Sequence, residues 1–326
     1  MAIRTHIPQE TQHTYSYTHH APSFQGATSK PTILLLHGFP STSYDWRHQI
    51  PYLASLGYGI IAPDLLGYGS TSKPTNVAAY KTKSMAAEII SILDAEGVGK
   101  VHAVGHDTGC TLLSRLADYF PERLLSCVFL DVPYMSPGGK FDLDLVNKVT
   151  REILGFEKFG YVGFFAAEGS GDLLDRFADS FFTLFYPHDP TLWISHLGPT
   201  GAIEKWLVSD HRAQLASYIT EEEFKTHQKL LVGSHDSALN WYRALVSNIN
   251  LEDEKAAKIA PSLSMPVLLL CPRKSGLEMP GIEEGMRAVA SNLVVKRVST
   301  AGHWIQLEAR EEVNRILGEF FGGVGN

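Results

Sequence analysis

Val104-Gly105-His106-Asp107-Thr108-Gly109 is the stretch that decides how this 326-residue chain reads. A short apolar run, residues 101–105, leads into it, and residues 108–119 leave it with helical length and spacing. Small-x-nucleophile-x-small is the pattern of a sharp strand-to-helix turn. The central residue is held at strained backbone angles, and small neighbours avoid clashes with the adjoining strand and helix. The helix that follows aims its N-terminus at that residue, which favours negative charge there. By average usage G-x-D-x-G would arise by accident about 0.1 times in a chain this long, so the motif gains its weight from its setting.

Working outward, the first third alternates strands with helices, which predicts a mostly parallel sheet covered on both faces. Thr32-Ile33-Leu34-Leu35-Leu36 is a buried strand closed by His37-Gly38, and residues 58–62 form a second ending at Pro63-Asp64. Residues 101–105 and 125–130 are the third and fourth, with helices over 45–55, 80–96 and 108–119 between them. From about Tyr134 to Ala260 the texture becomes helical and aromatic, as in FEKFGYVGFF, SFFTLFYP and LNWYRAL. Strand texture returns at residues 266–271 and 293–298, and a helix over 305–321 closes the pattern. The expected division is an α/β core at residues 1–133 and 261–326, interrupted by a helical cap at 134–260.

Two further segments fall in order around the turn: His37-Gly38-Phe39-Pro40 after the first core strand, and Ala301-Gly302-His303-Trp304 after the last. With Asp64-Leu65-Leu66-Gly67-Tyr68-Gly69, the ordered set resembles the epoxide hydrolase branch of the α/β-hydrolase fold superfamily, from about Thr32 to Phe321. The resemblance implies a mostly parallel central sheet flanked by helices, with the cap inserted after the strand ending near Asp131. It also implies Asp107 as nucleophile, His303 as base, and the backbone amides of Phe39 and Thr108 as an oxyanion hole.

Aspartate in place of serine changes the chemistry. A carboxylate is ionised at neutral pH without help, and its attack on a saturated carbon gives an ester that water can cleave. A serine attacking the same carbon would give a stable ether. Asp107 thus points to displacement at an sp³ carbon, with His303 activating water in a second half-reaction. The orienting acid departs from the family pattern. Most epoxide hydrolases carry an aspartate a few residues beyond the strand at 267–271, where this chain has Ser275, and a serine cannot stabilise an imidazolium as a carboxylate does. Asp131, ending the preceding core strand, resembles the acid of several dehalogenases of the superfamily and is the first choice. Glu278 is the alternative, and a purely structural capping role for Asp131 stays open.

An opening epoxide, unlike a departing halide, needs a proton. Relatives supply it from two cap tyrosines, and the segments around Tyr161 and Tyr242 are similar to those that carry them. Either tyrosine alone would also suit a helical core. Phe164, Phe165, Trp241 and Trp304 suggest an apolar, aromatic-walled pocket for a small apolar organic substrate. A dehalogenase using the same nucleophile is the alternative. It lacks the arginines, or the tryptophan, that such enzymes carry near the nucleophile; Thr108 and Thr111 stand there instead. A ligand receptor on the same fold, and an enzyme that opens the epoxide with an internal nucleophile to give a ring, also remain open.

A net charge of −7 argues against nucleic-acid and anionic-membrane partners. No run approaches 18 apolar residues, so no membrane span is expected. The three cysteines, Cys110, Cys127 and Cys271, lie too far apart for a zinc site and read as buried free thiols. His13, His19 and His20 read as surface strand. The first 25 residues have no apolar run and the end, GGVGN, carries no targeting signal, so a cytoplasmic enzyme without cofactor or metal is expected. A homodimer is left open.

Overall fold

A computed structural model describes residues 1–25, 28–272 and 279–324. Ten strands are present among them: β1 (Ala2–His6), β2 (Tyr15–His20), β3 (Phe24–Gln25), β4 (Thr28–Ser29), β5 (Thr32–Leu36), β6 (Gly59–Pro63), β7 (Val101–His106), β8 (Leu124–Leu130), β9 (Val267–Pro272) and β10 (Leu293–Val298). Eight form one sheet in the order β1-β2-β6-β5-β7-β8-β9-β10. From β6 to β10 neighbours run parallel, while β1 and β2 add an antiparallel edge. Strands β3 and β4 form a separate antiparallel pair. The chain thus has the expected α/β-hydrolase architecture.

The central strands are apolar end to end because both faces are covered. Leu34, Leu36, Ala103, Cys127, Phe129 and Leu269 turn to one side, against the helices Thr82–Ala95 and Thr108–Tyr119. Ile33, Leu35, Val104, Val128, Leu268 and Leu270 turn to the other, against Gln49–Ser55 and Arg310–Gly323. The first layer continues without a break into Phe165, Phe181, Trp206 and Tyr242 of the helical region, so that region is fastened to the sheet by one apolar core. Between β8 and β9 every helix or strand is a helix, from Leu143–Leu154 to Leu251–Ala257.

Local differences from the expected elements have local causes. The helix expected over 45–55 is a 3-10 turn, Ser43–Trp46, followed by Gln49–Ser55; Thr42 caps the turn by accepting from the Tyr44 N–H. The closing helix divides into Ile305–Glu308 and Arg310–Gly323 at Ala309, whose φ of −123° leaves the helical region. Cys110 and Cys127 are buried and free, but Cys271 is only half-buried, on the strand next to the sheet edge. His19 and His20 lie on β2, whereas His13 lies in the loop before it and meets Glu88 at 2.8 Å. Asp64 accepts from the Ser43 N–H and hydroxyl and from the Ser70 N–H, tying its glycine-rich loop in place.

Candidate active site

Asp107 follows β7 and caps the helix Thr108–Tyr119 with φ 52° and ψ −124°. A non-glycine residue in such a region costs about 1–3 kcal/mol, and its surroundings must hold it there. They do so through close approach. A Cβ on Gly109 would run into the carbonyls of Leu36 and His37, and one on Gly38 would strike the Asp107 side chain. One on Gly105 would stand 2.9 Å from backbone atoms of Cys110. The turn closes because all three are glycine. It presents the carboxylate at the carboxyl ends of the parallel strands, where open α/β sheets keep their sites.

The Phe39 N–H donates to Asp107 Oδ1 at 2.9 Å. Thr108 opens the helix, so its N–H is among the donors with no partner inside the helix. His303 Nε2 stands 3.9 Å from Asp107 Oδ2, too far for a direct hydrogen bond. On the other side of the ring, Nδ1 meets Asp131 Oδ2 at 2.5 Å. Asp131 sits one residue beyond β8 with φ 64°, its N–H donating to the Leu270 carbonyl at 2.9 Å. Asp107, Asp131 and His303 therefore come together from the ends of three chain segments. Ser275 and Glu278 lie outside the described residues.

Burial disfavours charge on His303, but the Asp131 hydrogen bond and the Asp131 and Asp107 charges outweigh it, and its pKa is raised above the ordinary value. Burial likewise pushes Asp131 up, yet the bond to His303 and the charges of His303, Lys158 and His106 together outweigh it and leave its pKa lowered. The pair favours imidazolium against carboxylate.

Tyr161 lies on the helix Gly160–Ala166 and Tyr242 on Asn240–Val246, their ring centroids 6.2 Å apart and nearly perpendicular. Phe165 touches both, at 5.5 and 4.9 Å, and Tyr242 stands edge-on to Phe39 at 5.2 Å. Burial, then the charge of Asp107, raises the pKa of both phenols, so they stay protonated donors at neutral pH. Phe164 is half-buried beside Phe165, which is fully buried among Phe39, Phe181 and Phe185. Trp241 donates from Nε1 to the Leu66 carbonyl at 2.9 Å, and Trp304 to the Phe185 carbonyl at 2.7 Å while stacked on Tyr186. Each indole ties a helix of the 134–260 region to the sheet-bearing part.

Several further residues hold the site in place. His106 lies on the strand side of the elbow; its Nε2–H donates to the His303 carbonyl at 2.8 Å and its Nδ1 accepts from the Gln306 amide at 3.1 Å. Burial, helped by the His303 charge, pushes it down to about 4, so it serves as a neutral clamp on the histidine loop. Glu308 accepts from the N–H groups of Gly302 and Trp304, closing the same loop from the other end. Trp193 lays its ring 5.3 Å from that of His303 and is fixed by donating from Nε1 to the Leu184 carbonyl. Tyr68, in the loop after β6, is fully buried, and the Asp107 charge adds to burial in raising its pKa.

Asp107 on a strained elbow, a histidine bonded to a carboxylate and a backbone N–H on the Asp107 side chain form the arrangement that α/β-hydrolase sites share. Residues 31–310 match the family model described as the alpha/beta hydrolase fold, and the chain belongs to that family. It is 30% identical over 311 residues to an epoxide hydrolase of Caballeronia sordidicola, covering 89% of this chain and 87% of that protein. It is 28% identical over 293 residues to bifunctional epoxide hydrolase 2 of Mus musculus, covering 89% of this chain and 51% of that protein. The chain thus spans about half the length of the mammalian relatives it matches. An epoxide hydrolase from an endophytic Streptomyces superimposes with a TM-score of 0.82 at 26% identity, over 99% of this chain and 96% of that one. Within the family, the chain falls in the epoxide hydrolase branch. No helix among the described residues is long and apolar enough to cross a membrane.

Proposed function

We propose that this protein hydrolyses a small apolar epoxide to a vicinal diol through an ester on Asp107, without metal or cofactor. The reading is carried by one observation: two phenols, Tyr242 buried and Tyr161 half-buried, lie 6.2 Å apart, with Tyr242 packed on Phe39, whose N–H donates to Asp107, and both are held protonated. A halide leaves unaided, so a displacement site needs such donors only when the leaving oxygen stays on the product. Residues 134–260 act as the cap that brings the phenols over the core formed by 1–133 and 261–326. Phe164, Phe165, Trp241 and Trp304 supply the apolar surroundings.

In the first half-reaction Asp107 Oδ2 attacks an oxirane carbon while Oδ1 stays on the Phe39 N–H. The carbon–oxygen bond breaks toward oxygen, which takes a proton from Tyr161 or Tyr242. In the second, water gives one proton to His303 Nε2 and its oxygen adds to Cγ of the ester, with the Phe39 and Thr108 amides holding the oxyanion. Collapse breaks the Cγ–Oδ2 bond. The departing alkoxide and the phenolate take up the two protons that the water brought, which releases the diol and restores Asp107, His303 and the tyrosine.

A single turnover in H₂¹⁸O tests the route. The first diol should carry no label, because its new oxygen comes from Asp107, and the label should appear in the protein. A labelled first diol would mean direct attack by water and would end this mechanism.

The acid is tested by pH. His303 acts as a base only when neutral, and Asp131 raises its pKa. The second half-reaction should therefore fail on the acid side through a limb lying above the ordinary histidine value of about 6.5. In Asp131→Asn the largest raising influence is gone while burial remains, so the limb should move to lower pH. The plateau rate should fall by roughly 10²–10⁴ through loss of imidazolium stabilisation. A limb that stays put in Asp131→Asn would remove Asp131 from this role.

A further inference from the structure

A cavity of about 70 Å³ adjoins the site at His303. Phe185, Trp193, Tyr218, Trp304 and Glu308 form its wall together with His303, and His188 and Ser217 stand at its rim, both exposed to solvent. Neither Asp107 nor either cap tyrosine borders it. Its size decides what it can hold. A pocket for a small organic molecule needs roughly 300 Å³ or more, whereas a few waters fit in a space of this order. The walls suit water as well: the Glu308 carboxylate, the Tyr218 phenol and the His303 ring are set among three aromatic faces. Trp193, held by its bond to Leu184 and packed on Phe185, is a fixed part of that wall.

We infer that this cavity is a water site that feeds His303, separate from the face of Asp107 where the epoxide reacts. The inference rests on the hydrolase reading above. It also gives a reason for the 3.9 Å gap between His303 Nε2 and Asp107 Oδ2: a polar pair that far apart leaves room for a water to be turned toward Cγ. Once the ester forms, the substrate's apolar body covers the phenol side of Asp107, so water arriving by that side is blocked for the life of the intermediate. A second approach through His303 keeps ester hydrolysis supplied while the alkyl group is in place.

The test closes the rim from either side, with Ser217→Trp and, separately, His188→Trp; both positions are exposed, so the fold tolerates the change. Rapid mixing with an epoxide that the wild-type protein turns over, read by quenching and intact mass, separates ester formation from ester hydrolysis. Formation should remain within about twofold of wild type, which also shows that the fold is intact, while hydrolysis slows tenfold or more and the ester accumulates. Formation slowed as much as hydrolysis would make the cavity a substrate path and overturn the inference. Both rates unchanged in both variants would overturn it too, since water would then arrive elsewhere. A wild-type protein that forms no ester with any epoxide would defeat the hydrolase reading itself, an outcome told apart by the wild-type control.

Discussion

His303→Gln, mixed with an epoxide substrate, should gain the mass of one whole epoxide and hold it. Glutamine keeps much of the ring's volume but is not a base, so the first half-reaction proceeds and the second stalls. A general base is worth about 10²–10⁴ in rate, and hydrolysis of the ester should slow by that factor while its formation changes little. Turnover then falls by the same factor, with the protein resting as the ester. Asp107→Asn should prevent the gain entirely, because an amide oxygen does not displace at carbon at a useful rate. The proposed division of labour fits the geometry: His303 Nε2 is 3.9 Å from Asp107 Oδ2, clear of that carboxylate, while its other nitrogen is fixed by Asp131. Alkylation does not need the histidine, because a carboxylate is already ionised. Peptide mapping should place the adduct on residue 107. A His303→Gln protein that turns over at the wild-type rate, or an adduct that survives Asp107→Asn, would refute the assignment of roles.

The buried half of the fold was legible in the sequence because parallel strands covered on both faces are written as unbroken apolar runs. Residues 32–36 have the expected bounds, and β7 and β8 differ from theirs by a residue. At the parallel edge β10, exposed for much of its length, also lies where expected, at 293–298. The antiparallel edge was not legible. Strand β1, Ala2-Ile3-Arg4-Thr5-His6, is exposed for most of its length and has no pattern to read, while β2 hides Tyr15 and Tyr17 beneath it. Helix breaks were missed where a tertiary bond sets them. The turn at Ala309 follows from Glu308 folding back onto the Gly302 and Trp304 amides, and periodicity contains no trace of that.

The same division runs through the site. Asp107, Asp131 and His303 each sit just past a core strand, a position that alternation of strands and helices exposes. The geometry brings those three together. Trp193 on His303, and the His106–Gln306 clamp beneath it, join residues that no local pattern links. A sequence shows which residues end strands; it does not show which side chains cross the gap between distant helices. Among the described residues the carboxylate nearest the imidazole is Asp131, at 2.5 Å; Glu278, the other candidate for the acid, lies outside them.

Replacing both cap tyrosines, as Tyr161→Phe with Tyr242→Phe, should cost more than the sum suggested by either change alone. One phenol can take over part of the other's bond to the epoxide oxygen, because their centroids lie only 6.2 Å apart across a shared neighbour, Phe165. Each single change should slow ester formation by about tenfold to a hundredfold, at or just below the usual range for a general acid, and the double change by about 10⁴ or more. Volume is preserved and no packing is lost, so the Tm should move by no more than a few degrees. Ester hydrolysis should be nearly unaffected, since the phenols act on the oxirane oxygen and His303 acts on water. The leaving group supplies the decisive control. With an alkyl halide that alkylates Asp107 at any measurable rate, the double variant should react about as fast as wild type, because halide needs no proton. Equal losses on epoxide and halide would mean that the tyrosines shape the pocket and donate nothing, and the case for an epoxide over a halide as substrate would fall with them.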